Sequence, residues 1–209
     1  MQCKIKEKSI SSIDSNIPKH NFSLEIFIHS VNVANISLKI ATAIELVKVD
    51  KDKLYKAALF HDMGKSKIPQ SILYKEDKLT NEEWQVMKKH ALYSEMLFRN
   101  IVCENKGNKE NIEIGKILRH HHENWDGSGY PDEKSGEDIH LYSRIIRIAD
   151  IFDAITQSRV YRPFKIKDTM ELMKRMKGKE IDPYIFDKSY DLLSNLLNEE
   201  YKKNTSNWS

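Results

Sequence analysis

FSLEIFIHSVNVANISLKIATAIELV, Phe22 to Val47, decides the fold. Apolar or histidine side chains return at Phe22, Ile26, His29, Val33, Ile36, Ile40, Ala43 and Val47, in alternating steps of four and three. Positions three and four apart stack on one side of a helix, so the stretch predicts a long helix with His29 on its buried side. Glu25 lies one turn earlier on the same face. The period recurs downstream. It predicts a helix from about Lys51 to His61, with Gly64 as its stop, and a third from the capped start Thr80-Asn81-Glu82-Glu83, carrying Met87, His90, Ser94, Leu97 and Ile101. Ile114, Leu118, His121 and His122 follow on a fourth, and Ile139 to about Gln157 forms a fifth, stopped before Pro163. Two more lie near 166–178 and 183–203. No strand alternation is visible, and the expectation is an all-α bundle of about seven helices. Residues 1–20 are expected to be poorly ordered, 21–203 to form one domain, and 204–209 to be a tail.

At 209 residues the chain suits a single domain that can bury a sizeable core. Its 34 basic and 31 acidic residues nearly cancel to +3, which gives no field for a nucleic-acid polymer. No apolar run is read as approaching a membrane span, and the start MQCKIKEKSISS is polar, so the expectation is a cytoplasmic protein without a membrane partner. Cys3 and Cys103 form neither a disulfide framework nor a thiolate metal site. Any bound metal must therefore be held by histidine and carboxylate.

Six of the eight histidines, His29, His61, His90, His120, His121 and His122, fall on or near apolar faces of different helices. One such histidine is ordinarily a core residue with a satisfied hydrogen bond. Repetition over four helices, with adjoining carboxylates, makes that reading costly, because buried imidazoles and carboxylates need pairing or a cation. Imidazole with carboxylate suits iron, manganese, zinc or nickel, and the lack of thiolate disfavours a closed structural zinc site. His61 and Asp62 are neighbours, so the first can bind one metal while the second bridges to another. Two metals about 3.5–4 Å apart hold a hydroxide suited to in-line attack at phosphorus.

HDMGK at 61–65, HHENWDGSGYP at 121–131 and RIIRIADIFDAITQSRVYRP at 144–163 together resemble the HD-GYP family of metal-dependent phosphohydrolases, with likeness from about Ser23 to Asp187. The resemblance implies an HD-domain helical bundle that hydrolyses cyclic di-GMP to pGpG, and on to GMP after a second cut, by attack of a metal-bridging hydroxide. It implies two or three divalent ions, iron or manganese, on His29, His61, Asp62, His90, His121, His122 and Asp150. Glu25 stands where members with a third metal have a glutamate. His120 matches no ligand position, and Glu123 is expected as a supporting neighbour. Ala91, Ser94 and His140 depart from the proline, glycine and proline usual in the family.

Lys65 follows the HD pair on its metal side, either as an exposed lysine or as a catalytic cation that stabilises the phosphate and protonates the leaving ribose oxygen. Arg159 and Arg162 are either surface arginines or a fork for the second phosphate. Asp153 is expected to orient a ligand rather than bind metal. Gly127 and Gly129 lack the strand-before, helix-after context of a phosphate loop and instead shape a lip, on which Tyr130 either stacks on a guanine or packs. The family links this loop to diguanylate cyclases as partners. Oligomeric state has no sequence signal. The alternatives are a catalytically weak module serving as a cyclic dinucleotide sensor or interaction domain, and a phosphohydrolase with a different nucleotide substrate.

Overall fold

The computed structural model describes residues 22–45, 50–101, 109–156 and 166–206. Helix α1 (Phe22–Ala43) packs against α2 (Lys51–Phe60), α7 (Leu141–Thr156) and α9 (Pro183–Ser206). Its buried stripe is Ser30, Val33, Ala34, Ser37, Ile40, Ala41 and Ile44, and the small side chains among these let neighbouring backbones approach. The helix ends earlier than the period predicted, with Glu45 at φ 53° beyond it, and Val47 lies outside the described residues. By length and composition Leu24–Ala43 is long and apolar enough to cross a membrane. That corrects the reading that no apolar run reaches such a length. Here the helix closes the core formed with Leu54, Ile117, Leu118, Ile145, Ile148 and Phe186.

Local chemistry explains most of the boundaries. Asp50 caps α2 by accepting from the Lys53 amide at 3.0 Å, and its own amide donates to the Tyr142 hydroxyl at 2.8 Å, tying α2 to α7. Thr80 and Glu83 form a reciprocal capping box that starts α4 (Asn81–Lys88). Asp182 accepts from the amides of Tyr184 and Ile185 at the start of α9, with Pro183 in the first turn. Gly178, at φ 77°, turns the chain from α8 (Ile166–Met176) into α9, beside a single bridge between Lys177 and Ile181. No strand forms among the described residues.

Four local readings are corrected. The expected third helix is two, α4 and α5 (His90–Ile101), parted at Lys89, and a single turn α3 (Gln70–Leu73) fills the preceding loop. His121 and His122 are not on the fourth helix: α6 (Lys109–Arg119) ends first, and the histidines occupy the turn after it. Gly64 does not stop a helix. It lies inside a 3₁₀ turn, Met63–Lys67, where a Cβ would sit 2.0 Å from the His90 carbonyl oxygen and 2.5 Å from the Ser94 amide nitrogen. The last helix runs to Ser206, three residues into the expected tail.

Gly64→Ala is therefore expected to cost about 3 kcal/mol or more, because backbone rather than a flexible side chain occupies the space. Gly115→Ala makes the contrast. It meets only the Arg99 and Glu95 side chains within a helix, so it should be neutral or stabilising by up to about 1 kcal/mol. Urea denaturation of both variants checks the pair.

Candidate metal centre

Asp62 lies where the end of α2, the start of α5 and the turn after α6 meet residues from within α1 and α7. Its Oδ2 is 3.4 Å from His61 Nε2 and 3.7 Å from His29 Nε2, while its Oδ1 is 3.4 Å from His90 Nε2 and 4.0 Å from His121 Nε2. Asp150, from α7, completes the first side with Oδ1 3.1 Å from His29 Nε2 and 3.9 Å from His61 Nε2. Two groups result, His29 with His61 and Asp150, and Asp62 with His90, His121 and His122, each with potential ligand atoms within 4.8 Å of one another. Seven sequence-predicted ligands are thus brought together. Glu25 is exposed and belongs to neither group, and burial together with the Glu25 charge pushes up the Tyr74 phenol. Arg159 and Arg162 lie outside the described residues.

The donor set fits divalent ions. His61 Nδ1 donates to the Ala58 carbonyl at 2.7 Å, His90 Nδ1 to that of Met87 at 2.8 Å, and His121 Nδ1 to that of Leu118 at 2.6 Å. Each bond puts the ring proton on Nδ1 and leaves the Nε2 lone pair facing inwards. His29 Nδ1 is held in the same sense by Asp153 Oδ2 at 2.6 Å, the orienting role expected of that aspartate. His61 Nε2 and Asp62 Oδ1 are buried with no hydrogen-bond partner. Buried polar atoms are rarely left so, and a cation accounts for both.

His122 is held differently. Arg147 Nη1 donates to its Nδ1 at 3.1 Å, while Nη2 of the same guanidinium donates to Asn124 Oδ1 at 2.9 Å. Guanidinium has no acceptor, so Nδ1 of His122 must supply the lone pair and the neutral ring carries its proton on Nε2. Neither Arg147 nor Asn124 was identified from sequence. The signal available was only spacing, with Arg147 one turn before Asp150 on α7.

Electrostatics follow from this crowding. Burial works against the His29 imidazolium, yet hydrogen bonds to Asp150 and Asp153 and the charge of Asp62 prevail and raise its pKa to about 9. Burial lowers His90, and lowers His121 and His122 further, with the neighbouring imidazoles adding to the effect. For Asp62, burial alone would raise the carboxyl, but Lys65, His61 and His90 hold it well below the usual carboxylate range. Lys65 Nζ is 2.5 Å from Asp62 Oδ2, so the cation expected on the metal side of the HD pair is there.

Second contacts fix the turns. The Ser94 hydroxyl donates to the His61 carbonyl at 2.6 Å and accepts from the Gly64 amide at 2.8 Å, so this departure from the family pattern clamps the HD turn onto α5. His140, another departure, accepts from the Tyr142 amide at 3.1 Å at the start of α7. Glu123 receives the Asp132 and Lys134 amides at 2.7 and 3.1 Å, which folds the loop back on the histidine turn. A Cβ at Gly129 would lie 2.2 Å from the Asn124 nitrogen, and Gly127 has φ 85°, so both glycines serve the loop's shape. His120 is buried, with Nε2 2.8 Å from Asp132 Oδ2, and Arg119 grips the same carboxylate. Tyr130 stacks on His122 with ring centroids 4.9 Å apart and meets His90 and Trp84 edge-on, so its ring is packed into the site.

Fold and site define an α-helical domain built around a paired histidine–carboxylate metal centre. The chain belongs to the HD domain family, whose model matches residues 10–185. A 3'3'-cGAMP-specific phosphodiesterase 2 of Vibrio cholerae is 36% identical over 163 residues, 77% of this chain and 30% of that protein. A cyclic di-GMP phosphodiesterase of Vibrio cholerae is 40% identical over 134 residues, 63% of this chain and 27% of that protein. The chain thus spans about a third of the length of these relatives. An HDG"Y"P protein from Bdellovibrio bacteriovorus shares the fold with a TM-score of 0.61 at 20% identity, over 83% of this chain and 52% of that one. The PgpH HD domain of L. monocytogenes gives 0.56 at 18%, over 84% and 93%.

The metal-free protein should show a stability maximum near pH 6.5. Below it, the unfolded chain binds protons that His90, His121 and His122 refuse, so stability falls as pH falls. Above it, the stabilisation that His29 gains from its proton is lost as pH rises from 6.5 through about 9. Urea midpoints in a chelator between pH 5 and 9 test this, and a flat profile contradicts it.

Proposed function

We propose that the chain is the catalytic domain of a metal-dependent phosphodiesterase that opens cyclic di-GMP to pGpG, and cuts further to GMP. The observation that carries this reading is Asp62, with one oxygen turned to each histidine group and Lys65 against the oxygen on the Asp150 side. The relatives named as cyclic di-GMP and 3'3'-cGAMP phosphodiesterases support the substrate class. His29, His61, Asp62 and Asp150 would hold one ion, and Asp62, His90 and His121 a second, which His122 would join once its proton moves from Nε2 to Nδ1 and the Arg147 contact breaks. Iron or manganese suits this all-imidazole and carboxylate set. Bound there, such ions supply an activated water and a Lewis acid for the phosphoryl oxygens. Glu25 is the proposed ligand of a third ion, but its exposure favours two.

The chain's own residues do the rest. Asp153 and the carbonyls of Ala58, Met87 and Leu118 fix four imidazoles before any ligand arrives, so little reorganisation is needed. Lys65, partly exposed and anchored on Asp62, faces the charge that grows on the phosphate. It is also the proposed donor of the proton that the ribose 3′ oxygen takes up as its bond to phosphorus breaks. Arg159 and Arg162 are proposed to hold the second phosphate. The loop after Gly127 is the proposed contact for diguanylate cyclases. A mixed cyclic dinucleotide with one adenine is the second substrate reading, favoured by the relatives named for 3'3'-cGAMP.

Protein purified without oxygen and loaded with ferrous iron or manganese should linearise cyclic di-GMP, and His61→Ala with Asp62→Ala should not. Parallel assays with 3'3'-cGAMP assign the preference. Metal-replete protein that binds both cyclic dinucleotides and cleaves neither would overturn the enzyme and make the domain a sensor. Lys65→Met should lower kcat on the order of 100-fold. Its metal content by elemental analysis should stay unchanged.

A further inference from the structure

Trp84 is exposed on α4 at 43%, and it is not an isolated surface aromatic. Its indole meets Tyr130 edge-on at 6.2 Å, and Tyr130 stacks at 4.9 Å on His122 of the metal centre. Lys88, one helical turn after Trp84, holds its ammonium 5.5 Å from the Tyr130 ring centroid. Two ring steps therefore lead from the metal centre to solvent, ending in an indole with a cation beside the path. Other large apolar side chains are as exposed, including Leu24, Phe27 and Tyr184, and single ones need no explanation. Trp84 differs because its ring is continuous with the site. The capping box at Thr80 and Glu83 also fixes the helix that presents it.

We propose that Trp84 is the platform on which one purine base of the cyclic dinucleotide stacks while the scissile phosphate lies at the metal centre. This rests on the cyclic dinucleotide reading above. Tyr130 cannot take that part, since His122, His90, Trp84 and Lys88 already surround its ring. Its place is to back the indole and transmit position from the histidine turn. An indole face accepts any base by stacking, so Trp84 contributes affinity for the nucleobase and does not by itself choose guanine over adenine.

The test compares metal-loaded wild type, Trp84→Ala and Trp84→Phe on cyclic di-GMP and on bis(4-nitrophenyl) phosphate, a diester without a nucleobase. Trp84→Ala should raise KM for cyclic di-GMP roughly ten- to hundredfold, the range expected from one stacked base, with kcat little changed. Trp84→Phe should recover most of the loss, and bis(4-nitrophenyl) phosphate turnover should stay within about twofold in both. Equal losses on both substrates would overturn the platform, because they mean a disturbed metal centre. An unchanged KM for cyclic di-GMP would also overturn it and leave the exposed indole to a protein partner. Tryptophan fluorescence gives a second readout that needs no turnover: cyclic di-GMP should quench wild type, and Trp84→Phe should abolish most of that quench. Wild type that cleaves bis(4-nitrophenyl) phosphate but neither cleaves nor is quenched by a cyclic dinucleotide sinks the substrate reading itself. Quenching that survives in Trp84→Phe sinks only the platform.

Discussion

The backbone of Gly64 runs so close to α5 that a Cβ would sit 2.0 Å from the His90 carbonyl oxygen, and the geometry of the centre follows from that approach. It brings the turn holding His61 and Asp62 against the start of α5, so that one carboxylate can face histidines from both sides. The Ser94 hydroxyl then locks the two backbones by accepting from the Gly64 amide and donating to the His61 carbonyl. A side chain at Gly64 would meet the backbone of His90 and Ser94 and force these two segments apart.

Gathering this many ionisable groups inside a helical core is expensive. Each ion removed from water costs several kcal/mol after relaxation, more than a single buried leucine returns, so the cluster cannot be a device for stability. Its groups are pulled in opposite directions instead. His29 is raised by the aspartates around it, while His90, His121 and His122 are lowered by burial and by one another. Divalent cations remove the conflict, because they want neutral imidazoles and ionised carboxylates together. The hydrophobic core, with Leu54, Ile117, Leu118, Ile145 and Ile148 among its buried members, supplies the burial that offsets this cost.

The loop after the histidine turn shows how a motif acquires its function from packing. Gly129 lies against the backbone of Glu123 and Asn124, and Glu123 collects the amides of Asp132 and Lys134. These bonds press Tyr130 onto His122. They also bring the GYP segment within reach of α4, more than forty residues earlier in the chain, where Trp84 waits at the edge.

Helical periodicity determined the fold class, because it is a local regularity of residue type, while the seven candidate ligands followed from the resemblance of HDMGK and HHENWDGSGYP to the HD-GYP family. The same local reading failed at Gly64, taken for a helix stop when its purpose is contact with another helix. It failed again at His121 and His122, carried on a helical phase that ends at Arg119. Only tertiary structure decided that Asp62 joins the two groups, that Arg147 reverses the proton of His122, that Ser94 is a clamp, and that Trp84 borders Tyr130. Each depends on a distance between segments remote in sequence. Periodicity fixes which face a side chain occupies, but packing of whole helices fixes which atoms meet.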